Sequence, residues 1–193
     1  LNRPSGIEIP ETTPELTTED PERSAMGQGT NSYSNVQLSR YVAAIANSGT
    51  VYDLSLLDKM TDSEGNLIKD FTPEVTGHVD IADSTWDAVH QGMRAVVTDG
   101  SVNKIFKDLE VEIAGKTGTA QESRTRGNHA FFISYGPYAN PEVCITQNIP
   151  YGYSSSNAAM VAKNVYRFYY GYTDLDSILG NGALEVSNVR VGD

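Results

Sequence analysis

The sequence predicts an α+β fold in which helices pack on an antiparallel sheet. Three apolar, β-branched segments follow one another between residues 112 and 149, and only short polar turns separate them. Short connections of this kind are typical of an antiparallel meander, because parallel strands need long crossovers. Two segments with helical periodicity precede these strands and a third follows them. Helices before and after a run of strands indicate the α+β class.

The composition excludes several classes of partner. The chain has 193 residues and a formal net charge of -11, which argues against nucleic acid and against anionic membrane surfaces. Its single cysteine rules out an internal disulfide, and no apolar run reaches the ~20 residues of a membrane span. The three histidines are scattered and no acidic cluster has metal-ligand spacing, so we expect no metal and no cofactor.

The first half of the chain predicts an irregular segment followed by two helices. Residues 1–23 are rich in proline, threonine and acids, without apolar periodicity. Ser34 and Gln37 have the spacing of a capping box, and Gly49 ends the helix that they open. Its expected apolar face consists of Val36, Tyr41, Ala44, Ile45 and Ala46.

Turn residues then predict a hairpin and a second helix. Residues 62–66 (Asp-Ser-Glu-Gly-Asn) form the expected turn between strands at 54–60 and 67–71. Ser84 with Asp87 is expected to open the second helix, which ends near Asp99 and Gly100. Its expected core residues are Trp86, Val89, Met93, Val96 and Val97.

The segment from Glu112 to Gln121 (E-I-A-G-K-T-G-T-A-Q) predicts a strand with a polar end. Lys116 supplies an ammonium, Thr117 and Thr119 supply hydroxyls, and glycine within a strand marks a place of close approach. Together with exposed strand N–H groups, these side chains could hold a carboxylate or an oxyanion. The alternative interpretation of Lys-Thr-Gly is an edge strand protected by a lysine.

The strands at 129–135 and 142–149 complete the meander, and Cys144 in the last one is expected to be a small buried hydrophobe. A final helix is expected at 157–170, ended by Gly171 and followed by an acidic tail over 172–193. Its expected apolar stripe consists of Met160, Val161, Val165 and Phe168.

Five motifs in succession resemble the transpeptidase domain of penicillin-binding proteins, and the monofunctional class B type most closely. Gly27-Gln28-Gly29, Ser34–Leu38 and Ala44–Gly49 resemble the family's G-Q-G, T-P-L-Q and I-A-N-x-G segments. Gly92–Val97 resembles its G-M-x-x-V-V helix, and Ala114–Gln121 matches A-G-K-T-G-T-A-Q residue for residue. His129-Ala130-Phe131-Phe132 with Gly136-Pro137-Tyr138 is similar to the strand and turn that follow.

The resemblance implies an active site built from S-x-x-K, S-x-N and K-T-G motifs. In the family's order the first two lie upstream of Leu1, so residues 1–171 are expected to be the C-terminal half of the domain. The nucleophilic serine would then lie outside this chain, and the chain alone would be inactive. Two segments match these patterns in residue type but stand at the wrong place in the family's order: Ser101-Val102-Asn103-Lys104 and Ser155-Ser156-Asn157.

The resemblance also implies roles and partners. The catalytic residues would be Lys116 and Thr119, and the Thr119 N–H would be one donor of the oxyanion hole. The D-alanyl carboxylate and backbone would be bound by Lys116, Thr117, Gly118 and Thr119. The expected partners are peptidoglycan stem peptides, β-lactams and the upstream half of the same domain. The expected location is the extracytoplasmic face of the bacterial membrane, with any anchor upstream.

Three alternatives remain open. The same fold occurs in serine β-lactamases and in non-catalytic β-lactam sensors, and a peptide-binding module could use the sheet edge without chemistry. The upstream sequence discriminates the last of these, because the transpeptidase requires S-x-x-K and S-x-N there. Helix faces left without the upstream half are also expected to favour self-association of the fragment.

Overall fold

The computed structural model describes residues 1–18, 21–122 and 124–180. The chain divides into two compact units, one comprising Leu1–Trp86 and the other beginning at Asp87. The helix Asp83–Thr98 contains the boundary between them. Each unit has its own buried residues.

The first unit combines short helices with two antiparallel ribbons. One ribbon pairs β1 with β4, and the other pairs β2 with β3. The bounds are α1 Pro21–Ala25, α2 Asn35–Ala46, β1 Thr50–Tyr52, β2 Lys59–Thr61, β3 Leu67–Asp70 and β4 Val75–His78.

The capping box predicted for α2 is confirmed. The Ser34 hydroxyl accepts the Gln37 N–H at 3.2 Å, and the Gln37 side chain accepts the Ser34 N–H at 3.0 Å. At the other end, Gly49 has φ +101° and donates its N–H to the Ala44 carbonyl at 2.8 Å. A Cβ at Gly49 would lie 2.6 Å from the Val79 carbonyl oxygen, so the close approach also requires glycine.

The buried face of α2 differs from the predicted one. Tyr41 is 44% exposed, whereas Arg40 is only 8% exposed. Arg40 can be buried because its guanidinium donates to the Tyr52 carbonyl (2.6 Å), the Asp53 carboxylate (2.7 Å) and the Thr76 hydroxyl (2.9 Å). A buried charge is tolerated when its donors are paired, and apolar periodicity cannot reveal such a residue.

The predicted hairpin and second helix are both present, but the strand predicted at 54–60 is shorter and later in the structure, at Lys59–Thr61. The Asp62 carboxylate accepts the N–H groups of Glu64 and Asn66, which fixes the turn between β2 and β3. The helix α3, Asp83–Thr98, begins one residue before Ser84. Trp86, Met93 and Val97 are buried as expected, but Val89 is exposed.

The second unit contains the predicted meander, which confirms the α+β class. The strand order is β5-β6-β7, with both pairs antiparallel. The bounds are α4 Asn103–Phe106, β5 Ala114–Ala120, β6 His129–Gly136, β7 Val143–Ile149, α5 Ser155–Tyr169 and α6 Leu175–Leu179. Cys144 on β7 is half-buried, and burial raises the pKa of its thiol to about 11.

The helix α5 packs on the sheet through a face other than its predicted stripe. Ala158, Ala159, Ala162 and Tyr166 are fully buried. The large residues of the predicted stripe are 39–50% exposed: Met160, Val161, Val165 and Phe168. Alanines let the helix backbone approach the strands closely, so the small residues face the sheet and the bulky ones face away.

The predicted tail is helical in part, since α6 lies within it. Residues 181–193 of that tail lie outside the described residues. Among the described residues, no helix is both long enough and apolar enough to cross a membrane.

Candidate active site

The strand β5, which carries Lys-Thr-Gly, lies at an edge of its sheet. Among the described strands it pairs with β6 alone, in continuous register from Ala114 opposite Tyr135 to Ala120 opposite His129. The predicted edge position is therefore confirmed. An edge strand offers a row of N–H and C=O groups that an extended peptide can pair with.

The register places the predicted site residues on two faces of β5. Thr117 lies opposite Phe132 and Thr119 opposite Ala130, on the face that bears the buried core. Lys116 lies opposite Ile133, on the other face, because side chains alternate along a strand. A ligand could therefore contact the Lys116 ammonium and the two threonine hydroxyls together only at the free edge of the strand.

The Lys116 side chain turns back toward the backbone of its own strand. Its Nζ donates to the Thr117 carbonyl at 2.6 Å, and the side chain is exposed. The ammonium thereby stands beside the backbone of the residue that supplies the first hydroxyl. A ligand carboxylate at this place would meet a cation, two half-buried threonines and strand N–H groups.

Packing requires glycine more strictly at Gly115 than at Gly118. A Cβ at Gly115 would lie 2.5 Å from Phe132 Cζ, so Gly115 is needed for packing within the sheet. A Cβ at Gly118 would lie 3.2 Å from Phe131 Cβ, a milder crowding. Packing within the sheet is therefore enough to explain the glycine at Gly115. The close approach of a ligand, which the sequence suggested for the glycines here, remains an expectation only at Gly118.

A polar cluster that the sequence did not predict lies beyond the end of β5. The Glu122 carboxylate contacts His129 Nε2 at 3.0 Å and accepts the Tyr151 hydroxyl at 3.4 Å. Arg126 donates to the Tyr151 hydroxyl at 2.8 Å and lies over its ring. The His129 hydrogen bond, more than any other contact, lowers the pKa of Glu122. The sequence could not predict this cluster, because Glu122 and Tyr151 are 29 residues apart and no motif spacing connects them.

The loop after β7 that supplies Tyr151 has an unusual backbone. Tyr151 and Tyr153 both have positive φ, at 56° and 65°, which non-glycine residues rarely adopt. The Tyr153 N–H donates to the Asn128 carbonyl at 3.0 Å, and a Cβ at Gly127 would lie 2.9 Å from the Tyr153 ring. These contacts hold the loop against the turn that follows β5.

The sequence model of the family described as "Penicillin binding protein transpeptidase domain" matches residues 2–167. The chain belongs to this transpeptidase family. The match confirms the resemblance drawn from the five motifs, and it covers both units.

Relatives of this transpeptidase chain are much longer than it. It is 30% identical over 162 residues to penicillin-binding protein 2B of Streptococcus pneumoniae, which covers 77% of this chain and 24% of the relative. It is 29% identical over 171 residues to the peptidoglycan D,D-transpeptidase MrdA of Haemophilus influenzae, covering 75% and 25%. The chain thus spans about a quarter of the length of these relatives.

A solved structure has the same fold. Penicillin-binding protein 2B from Streptococcus pneumoniae strain R6 superposes with a TM-score of 0.78 at 24% identity. The superposition covers 91% of this chain and 31% of that one. This likeness is evidence for the fold of the transpeptidase chain.

The two segments that mimic the other transpeptidase motifs lie at the starts of α4 and α5. Ser101 is exposed in the turn before α4, and Lys104 lies within that helix. Ser155 is the first residue of α5, whose N-cap is Ser154. Among the described residues, no group of three histidine, cysteine or acidic side chains could hold a metal ion.

Proposed function

We propose that this chain forms the substrate-carboxylate side of a peptidoglycan D,D-transpeptidase active site of the monofunctional class B type. The reaction would cross-link stem peptides through an acyl-serine intermediate. The observation that carries the proposal is the position of β5: the Lys-Thr-Gly strand of a transpeptidase family member lies at a free sheet edge. The name of the Haemophilus relative supports the same reaction class.

Lys116, Thr117 and Thr119 would act together at that edge. A donor peptide ending in D-alanyl-D-alanine would place its carboxylate between the two threonine hydroxyls, with the Lys116 ammonium beside it. The contact from Lys116 Nζ to the Thr117 carbonyl supports an ammonium position at the edge of the strand. Gly118 would leave room for the peptide backbone, which would add to β5 as a further strand.

The Thr119 N–H would stabilise the charge that develops on the attacked carbonyl. In an antiparallel ladder the N–H and C=O groups of alternate residues point to the same side, so Thr119 has the orientation of Thr117. The contact from Lys116 Nζ to the Thr117 carbonyl supports an outward orientation for both residues, because a carbonyl paired with β6 would be less accessible to a side chain. The second donor of this oxyanion hole would be the N–H of the nucleophilic serine.

The nucleophile and its base would come from outside this chain. The serine of S-x-x-K would attack the carbonyl between the two D-alanines, and its lysine would take the hydroxyl proton. The bond to the terminal D-alanine breaks, and D-alanine leaves with a proton on its amine. The amine of a neighbouring stem peptide then takes the acyl group and restores the serine hydroxyl.

The remaining parts of the proposal follow from this chemistry. β-Lactams would acylate the same serine as mimics of the D-alanyl pair. Residues 1–171 would be the C-terminal half of the catalytic domain, and its other half would be the first partner. The working location would be the extracytoplasmic face of the membrane, where stem peptides are cross-linked.

Labelling of the full-length protein by a fluorescent penicillin tests the proposal. We expect one stoichiometric adduct, mapped by peptide mass to the serine of an S-x-x-K motif outside residues 1–193, and transfer of acyl groups from a D-alanyl-D-alanine peptide to an amine. A folded full-length protein that forms no adduct would contradict the proposal. Rapid turnover of penicillin without peptide transfer would assign the chain to a β-lactamase instead.

A further inference from the structure

The second unit has a cavity at the start of β5, away from the Thr117–Thr119 segment. It has a volume of about 370 Å³, is open to solvent on one side, and is lined by the end of α3, the helix α4 and residues 109–113. Ligand pockets in proteins have volumes of about 300–1,000 Å³ and combine an apolar surface with a few polar groups. This cavity is therefore large enough for a small organic molecule.

The floor of the cavity is the hydrophobic core of the unit. Val97, Phe106, Val111 and Ile113 line it, and each is at most 9% exposed. These side chains belong to the cluster that packs α4 and α5 on the sheet. An apolar group that entered the cavity would contact the small exposed part of this core.

The wall of the cavity is cationic in a protein of net charge -11. Arg94, Lys104 and Lys107 line it together with one acid, Glu112. Lys104 and Lys107 are three residues apart, which places them on adjacent turns of one helical face. The wall therefore attracts anions, and the apolar floor favours a molecule with a hydrophobic body.

Arg94 already binds one carboxylate at this place. Its guanidinium donates to the Glu112 carboxylate at 2.7 Å and to the Ile113 carbonyl at 2.8 Å. The Glu112 side chain is 70% exposed, so an exchange of its carboxylate for that of a ligand costs little burial. Ile113 immediately precedes Ala114, the first residue of β5.

We propose that this cavity binds an amphipathic monoanion, with an acidic head at Arg94, Lys104 and Lys107 and an apolar body on the floor. Glu112 is the internal competitor of the head group for Arg94. The site is separate from the proposed D-alanyl carboxylate site and does not depend on the proposed function.

Titration with octanoate, followed by amide chemical shifts of the chain, tests this proposal. We expect saturable shifts at Val97, Val111, Ile113 and Ala114, and weaker binding at higher ionic strength. Octanol lacks the charge and inorganic phosphate lacks the apolar body, so each should bind at least about tenfold more weakly. Equal binding of octanol or of phosphate, or no saturable octanoate binding, would overturn the proposal.

Charge variants sharpen the test. Lys104→Gln combined with Lys107→Gln should weaken octanoate binding about tenfold, whereas Lys59→Gln combined with Lys69→Gln removes the same charge elsewhere and should leave it unchanged. Glu112→Gln should tighten binding about threefold or more, because it removes the competing carboxylate from Arg94. An equal loss of octanoate affinity in the two double-lysine variants would contradict the proposal, and so would weaker octanoate binding by Glu112→Gln.

Discussion

Gly115 lies against the ring of Phe132 on the neighbouring strand, so closely that an added Cβ would come within 2.5 Å of Phe132 Cζ. Phe132 is fully buried and stacks on Phe106 of α4 at a ring distance of 5.3 Å. The glycine before Lys116 thus connects the candidate site to the core. The backbone that presents Lys116 is positioned by this packing.

Gly115→Ala should destabilise the chain by about 1–3 kcal/mol, the usual cost of an added methyl group in a well-packed interior. Gly92→Ala is the control, because a Cβ at Gly92 has open space and alanine favours a helix. Urea unfolding of both variants measures the difference. A Gly115→Ala variant as stable as the Gly92→Ala variant would show that Phe132 can move aside.

The Tyr166 hydroxyl donates to the Ser134 hydroxyl at 3.0 Å, and both residues are fully buried. Tyr166→Phe or Ser134→Ala should each cost about 1–3 kcal/mol, since each leaves a buried hydroxyl without its partner. The double variant should cost less than the sum of the two, with a coupling of about 0.5 kcal/mol or more. Additive losses in urea unfolding would show that the bond contributes no coupling.

Tyr135 provides the matched comparison for Tyr166. Its hydroxyl is buried without a hydrogen-bond partner among the described residues, and burial raises its pKa to about 12. Tyr135→Phe should therefore be neutral or stabilising, because it removes an unsatisfied polar atom. A loss as large as that of Tyr166→Phe would indicate that the Tyr135 hydroxyl finds a partner in solution.

We predict that the stabilisation from the Glu122–His129 contact depends on pH. Hydrogen bonding to His129 lowers the pKa of Glu122, so the contact stabilises the fold at pH values above the carboxyl's ordinary pKa of 4.5. That contribution is lost as the pH falls through the lowered, folded-state pKa. In carboxyl NMR titrations, His129→Ala should move the Glu122 midpoint upward toward 4.5, while His78→Ala should leave it in place. An unchanged midpoint in His129→Ala would exclude His129 as the cause.

The sequence predicted the elements well, because their signals are local. The Ser34–Gln37 capping box, the Gly49 stop and the three strands of the meander all depend on neighbouring residues, and the structure has each of them. The helix α5 shows where such reasoning fails. Its bulky stripe and its alanine stripe are both apolar, and only the distance between helix and sheet decides which is buried.

The sequence proposes residues for the candidate site but not their arrangement. The motif predicts Lys116, Thr117 and Thr119, and the register with β6 shows that the lysine and the threonines leave the strand on opposite faces. Arg40 in the first unit and the cluster around Glu122 were missed, since long-range pairing of polar groups leaves no periodic signal.

The 193-residue chain alone should not react with β-lactams, because neither member of the family's Ser–Lys pair is expected within it. In the local pair that imitates the motif, Ser101 is exposed in the turn before α4 and Lys104 is exposed within that helix. Intact mass measurement after incubation with a fluorescent penicillin should show no adduct, and Ser101→Ala should change nothing. A stoichiometric adduct at Ser101 would overturn the assignment of the nucleophile to a position outside the chain.

The central claim is that the Lys116 ammonium at the free edge of β5 acts on the acylation step, and acylation kinetics of the full-length protein test it most directly. Lys116→Ala should lower the second-order rate constant for labelling by penicillin by about 10²-fold or more, the scale of losing one preorganised electrostatic group. Lys59→Ala, which removes an exposed lysine of the first unit, should label at the wild-type rate. A folded Lys116→Ala protein that is acylated as fast as the wild type would contradict the claim.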